Sequence, residues 1–217
     1  NVRVFFEKTG MTKYISHLDL MRCMTRAIKR AAIPAWYTEG FNPHLFITFA
    51  LPLTLGVESL CESMDIRLTE EMGFEEVKNR LNVNLPDGIR ITNVAVPVYK
   101  ANDIAFAEYK ITFHTRKNEK IKNEIEEKLL CDELLAEKMG KQGKRKVLKT
   151  INLKEFVNSY SVISLNDKTV LTAVLTAGSK NSINPSRFVD VLKLGDDVGS
   201  CEILKQKMMT EDLKSFE

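Results

Sequence analysis

The sequence predicts an α+β chain built from two consecutive ferredoxin-like (βαββαβ) units, the second decorated, over 1–97 and 108–217 with a linker at 97–107. Three observations predict it. Period-two alternation of apolar and polar residues opens each half, at 2–8 and at 108–115. An amphipathic helical stretch follows each of these strands, at 17–32 and 118–139. Turn formers such as Pro86-Asp87-Gly88 and Asn166-Asp167 then punctuate strand-rich segments. A length of 217 residues accommodates two small cores of this kind.

The elements follow in order. After the first strand and the turn at Thr9-Gly10, Ser16-His17-Leu18-Asp19 reads as a capping box that starts a helix. Leu20, Met21, Cys23, Met24, Ala27, Ile28 and Ala31 share one side of it, and Asp19, Arg22, Arg26, Lys29 and Arg30 the other. The aromatic, turn-rich run 36–44 is a structured loop, and strands are predicted over 45–51 and 62–68. A short helix over 74–81 and a strand over 89–96 complete a βαββαβ order. The second half reads as βαβββαβ: a helix over 118–139, strands over 147–153, 159–165 and 170–177, a helix over 186–194 and a last strand near 201–207. Asn184 is the expected N-cap of that final helix and Pro185 its first-turn residue.

Composition excludes several classes. With 44% hydrophobic and 28% charged residues the chain belongs with globular proteins, away from disordered and collagenous extremes. No apolar run approaches the roughly 20 residues needed to cross a bilayer, and the strand-like start Val2-Arg3-Val4-Phe5-Phe6 carries no secretory pattern, so a cytoplasmic protein is expected. Cys23, Cys61, Cys131 and Cys201 lie far apart without CxxC or Cys/His spacing. Reduced, partly buried thiols are expected, with no metal site and no cofactor in this chain.

A net charge of +3 is too slight to argue for nucleic acid, so the distribution of charge decides. One concentration is Arg22, Arg26, Lys29 and Arg30; another, within 138–149, includes Lys144, Arg145 and Lys146. Arg22, Arg26 and Arg30 recur every four residues and can follow successive phosphates with bidentate guanidinium contacts. The bland alternative is a solvated helix face with Arg22 paired to Asp19. His17 and His44 are candidate catalytic or phosphate-contacting groups, set against ordinary packing for a histidine without an evident carboxylate. Gly40, Phe41, Asn42, Pro43 and His44, with Gly56, Glu58 and Ser59, form a candidate ligand loop that structural turns explain nearly as well.

The block Lys13-Tyr14-Ile15-Ser16-His17-Leu18-Asp19-Leu20-Met21-Arg22, continuing through Arg26, Arg30, Ala31, Pro34 and Gly40-Phe41-Asn42-Pro43-His44, is distinctive. Together with Phe49-Ala50-Leu51-Pro52-Leu53 and Gly56-Val57-Glu58-Ser59, it resembles the uncharacterised radical-SAM-linked protein family. That resemblance implies a domain found alone or fused behind a radical S-adenosylmethionine (SAM) domain, often encoded near ribonuclease G and ribosomal proteins. It implies a radical SAM protein as partner, which would supply the iron–sulfur cluster and SAM. The expected function is a non-catalytic RNA-binding or substrate-presenting partner of such an enzyme. The alternatives are a metal-independent RNA-processing enzyme using His17 and His44, and a protein-docking module with a basic helix.

Overall fold

The computed structural model describes residues 1–142, 145–178 and 182–216, with the side chains of 138–149 set aside. Two compact units emerge: residues 1–105 with 204–217, and residues 106–203. The sequence predicts a linker at 97–107 and gives all of 108–217 to the second unit; here 204–217 falls with the first unit, where Leu204 and Lys205 pair in parallel with Glu58 and Ser59.

In the first unit, β1 (Val2–Lys8) lies between β3 (Glu58–Ile66) and β4 (Ile89–Ala95), antiparallel to both. β2 (Ile47–Phe49) adds antiparallel against Met64–Ile66, so the order is β4-β1-β3-β2. The inward alternation of β1 puts Val2, Val4 and Phe6 in one core with Met64, Ile66 and Ile91. Helix α1 (His17–Arg30) covers that core with Leu20, Met24, Ala27 and Ile28, and α2 (Phe74–Asn84) with Val77 and Leu81.

Local chemistry sets the ends of α1. The Ser16 hydroxyl accepts from the Asp19 amide at 3.1 Å, as the capping motif requires. The Asp19 carboxylate accepts a hydrogen bond from the Ser16 hydroxyl at 2.7 Å rather than from the cap backbone amide, so only half of the expected box forms. The helix stops at Arg30 instead of 32, because Ala32 turns into the left-handed region (φ 49°) two residues before Pro34.

In the second unit, β9 (Lys168–Thr176) lies between β5 (Phe106–His114) and β8 (Val157–Leu165), antiparallel to both. The β8–β9 hairpin turns at Asn166-Asp167, as expected. Helix α3 (Asn118–Leu130) packs on β8 and β9 and buries Ile121, Ile125 and Leu129. Helix α4 (Pro185–Leu192) starts where Asn184 accepts from the Ser186 amide at 2.9 Å.

The largest departure from the sequence reading is in 131–139, predicted as the end of a helix and found as a turn followed by the start of β6 (Leu135–Gln142), the partner of β7 (Arg145–Asn152). Asn152 bridges the break: its carboxamide oxygen accepts from the Leu134 amide at 2.9 Å and its NH2 donates to the Asp132 carbonyl. Leu134 and Ala136 are buried there, and that packing overrides the helix propensity of Leu-Ala-Glu-Lys. The last strand is β10 (Ser200–Met209). The fold is therefore mixed α+β, with mostly antiparallel strands and four α-helices among the described residues.

Candidate nucleic-acid interface

Helix α1 buries its apolar stripe and leaves the basic one in solvent beside the end of α2. Between them lies a groove of about 760 Å³ lined by Asp19, Arg22, Cys23, Arg26 and Arg30 on one wall and by 83–86 on the other. Residues four apart on a helix advance by about 6 Å, so the three guanidinium groups form a short ladder along the wall.

The arginines differ in what already holds them. Arg22 donates to Asp19 at 3.0 Å, an exposed i,i+3 pair; hydrogen bonds from Ser16 and Arg22 lower the Asp19 carboxyl below its usual value. Arg30 reaches across to α2 and donates to the Asn84 carbonyl at 2.6 Å, satisfying an acceptor left over at that helix end. Arg80 returns the favour from α2, its guanidinium lying 3.5 Å from the Ala31 carbonyl at the end of α1. Arg26, between them, is exposed and makes no ion pair or side-chain hydrogen bond among the described residues. Cys23 is half-buried beneath the ladder, and burial raises its thiol above the usual value despite Arg30 and Arg26. None of the four cysteines is in a disulfide; Cys61 is also half-buried, whereas Cys131 and Cys201 are exposed.

The other candidates fall elsewhere. Lys29 points away from the groove, with its ammonium 5.5 Å from the centre of the Tyr37 ring. Lys144 and the side chains of Arg145 and Lys146 lie outside the described residues. The two histidines have separate partners: the half-buried His17 ring meets Phe49 edge-on at 5.1 Å, while exposed His44 takes Thr38 at 2.9 Å. Gly40 to His44 form the tip of a tongue closed by Thr38–His44 and Trp36–Phe46 backbone bonds, with Phe41 exposed at the end. Gly56 and Glu58 instead serve the 3-10 turn at Gly10–Tyr14. The Gly56 amide donates to the Lys13 carbonyl, and Glu58 accepts from the Gly10 amide and the Lys13 ammonium. Ser59 is fully buried, its hydroxyl accepting from the Cys61 amide.

One charged constellation was missed in the sequence. Lys8, Glu62 and Lys205 are all buried, and the Lys205 ammonium sits 2.5 Å from the Glu62 carboxylate. The Lys8 ammonium donates to the Ile15 carbonyl at 3.3 Å; burial pushes it below its usual pKa, with Glu62 opposing. The signal was present in β1, where Lys8 continues the inward series Val2, Val4, Phe6. Among the described residues no group of three or more His, Cys, Asp or Glu side chains is arranged to hold a metal, and no helix is long and apolar enough to cross a membrane.

A two-unit α+β chain with an arginine-walled groove is the class that fold and site define. The chain belongs to a family described as uncharacterized and conserved in bacteria (DUF2344), whose model matches residues 1–185. No curated protein matches it. Among solved structures it is similar to a chain of the "Crystal Structure of a Cbf5-Nop10-Gar1 Complex", with 13% identity and a TM-score of 0.48. The match covers 97% of this chain and 50% of that one, so this chain spans half of its length.

Proposed function

We propose that this protein is a non-catalytic RNA-binding or substrate-presenting partner of a radical SAM enzyme in RNA or ribosome-related modification. The observation that carries the reading is the α1 groove, where Arg22, Arg26 and Arg30 stand in register along one wall and Arg26 has no protein partner among the described residues. Guanidinium groups are the side chains best matched to phosphate, and an i, i+4, i+8 ladder suits a phosphate backbone better than a single anion. The separate engagement of His17 and His44 favours a binding role over cleavage by a histidine pair.

The resemblance of the 13–60 block to radical-SAM-linked proteins motivates the partner, which would carry the iron–sulfur cluster and SAM. The order β4-β1-β3-β2 with helical connections supports reading the first unit as ferredoxin-like. The test is affinity capture of the tagged chain from cells after RNA crosslinking. The expected result is a defined set of RNAs and a co-purifying radical SAM protein. Recovery of neither overturns the reading, and a protein partner without RNA leaves the docking-module alternative in its place.

A further inference from the structure

The first unit has a second concavity, away from α1 and α2. Its sheet buries Val4 and Phe6 against the helices, so Phe5 faces the opposite side by strand alternation. One part of that opposite face is closed. Arg3 forms a two-pronged pair with Asp65 at 2.7 and 2.9 Å, Phe216 from the C-terminal segment lies over the guanidinium at 4.7 Å, and Tyr99 stacks on Phe216. Next to it a pocket of about 450 Å³ stays open. That volume lies within the roughly 300–1,000 Å³ typical of small-ligand sites.

The chemistry of the lining narrows the ligand. Phe5, Leu60 and Met208 supply an aromatic face, a branched aliphatic group and a polarisable thioether, which is a surface for a flat ring. Asn93 and Gln206 add two carboxamides, groups that donate and accept at once. The Asn93 oxygen accepts from the Val94 amide at 2.9 Å, which fixes the side chain and keeps its NH2 as a donor. Gln206 is half-buried and makes no side-chain hydrogen bond among the described residues. Lys207 also lines the pocket but is exposed, whereas capture of a small carboxylate or phosphate calls for buried cations. An aromatic and aliphatic surface beside two carboxamides and the hydroxyls of Thr92 and Ser215 matches a ring with alternating donors and acceptors on its rim, the pattern of a nucleobase.

We propose that this pocket binds a nucleobase, stacked on Phe5 and read at its edge by Asn93 and Gln206. The base belongs either to a free nucleotide or to an unpaired residue of an RNA strand. The site is independent of the α1 groove, which addresses phosphates and not bases.

The test is NMR titration of the full chain with adenosine monophosphate, with uridine monophosphate and with a short single-stranded RNA, following the Phe5 ring and the side-chain amides of Asn93 and Gln206. Saturable shifts at these three residues are expected. Asn93→Ala and Gln206→Ala, both replacements of partly or fully exposed side chains, should each weaken binding by about tenfold. Phe5→Ala should weaken it by a similar factor or more, with the fluorescence of the single Trp36 checking that each variant is folded. Competition by a mononucleotide assigns the site to free nucleotides, whereas shifts with the strand alone assign it to an unpaired RNA base; both support the pocket. Absence of shifts at these residues with every ligand overturns it, as does unchanged affinity in the folded Asn93 and Gln206 variants. An Arg22, Arg26 and Arg30 to Glu variant should retain the mononucleotide shifts, so failure of the pocket and failure of the groove are told apart.

Discussion

Helices α1 and α3 hold equivalent places, each following the first strand of its unit and each burying one apolar stripe, yet they use charge in opposite ways. Helix α1 carries Arg22, Arg26, Lys29 and Arg30 against Asp19 alone. Helix α3 intersperses Lys120, Lys122 and Lys128 with four glutamates. The lysines around α3 are also spent on the fold: Lys117 and Lys120 clamp Asp197 at 2.6 and 2.7 Å, and Lys128 caps the end of α4 at the Leu192 and Lys193 carbonyls. Charge that closes the protein's own contacts is not on offer to a ligand. The comparison teaches that the number of basic residues matters less than how many remain uncommitted, and Arg26 is the clearest such residue on α1.

The far end of that scale is the buried set Lys8, Glu62 and Lys205, where the largest effect is expected. Glu62→Ala leaves two buried ammonium groups without their carboxylate and should cost about 3–5 kcal/mol, read as a lower urea midpoint. RNA affinity per folded molecule should not change. A variant of wild-type stability would break the claim that these charges are committed to the fold.

Smaller effects should come from the α3 clamp. Its two lysines hold the Asp197 carboxyl down to about 2, below the ~3.9 of an unfolded chain. The sign follows: a depressed carboxylate contributes stability that is fully present above the unfolded value and is lost as pH falls through about 2. Acid titrations of wild type and Asp197→Asn should therefore differ above pH ~4 and converge toward pH ~2. Parallel curves at all pH values would show that the clamp adds nothing.

The smallest effect sharpens the α1 side of the comparison. Asp19→Asn removes the carboxylate that holds Arg22 and should raise single-stranded RNA affinity a few-fold, measured by fluorescence anisotropy at low salt. Weaker binding would mean that the Asp19–Arg22 pair positions Arg22 and does not occupy it.

Much of this contrast was legible in the sequence, because a 3.6-residue period assigns each side of α1 without any tertiary information. Ser16, Asn184, Pro185 and Asn166-Asp167 likewise act through local bonds and were read correctly as caps and a turn. What escaped depended on distant partners. Leu135–Met139 has helix-forming residues and becomes part of a strand only beside β7, with Asn152 fixing the break. The opposite wall of the groove comes from the end of α2, more than fifty residues from α1, so the arginines could be recognised but not the cleft they line. Lys205 could not be matched to Glu62 from sequence, since a parallel pairing to a strand far earlier in the chain leaves no local mark.

The central claim is that the α1 arginines bind phosphate, and its most direct test is the salt dependence of RNA binding by an Arg22→Glu, Arg26→Glu, Arg30→Glu variant. Folding should be close to normal, since surface changes usually stay within about 0.5 kcal/mol each; loss of the Arg30–Asn84 brace is the main charge against it. Anisotropy with single-stranded RNA should show a large loss of affinity, and the slope of log K against log salt should flatten by about 0.7 for each phosphate contact removed. A folded triple variant with wild-type affinity and an unchanged slope would contradict the account.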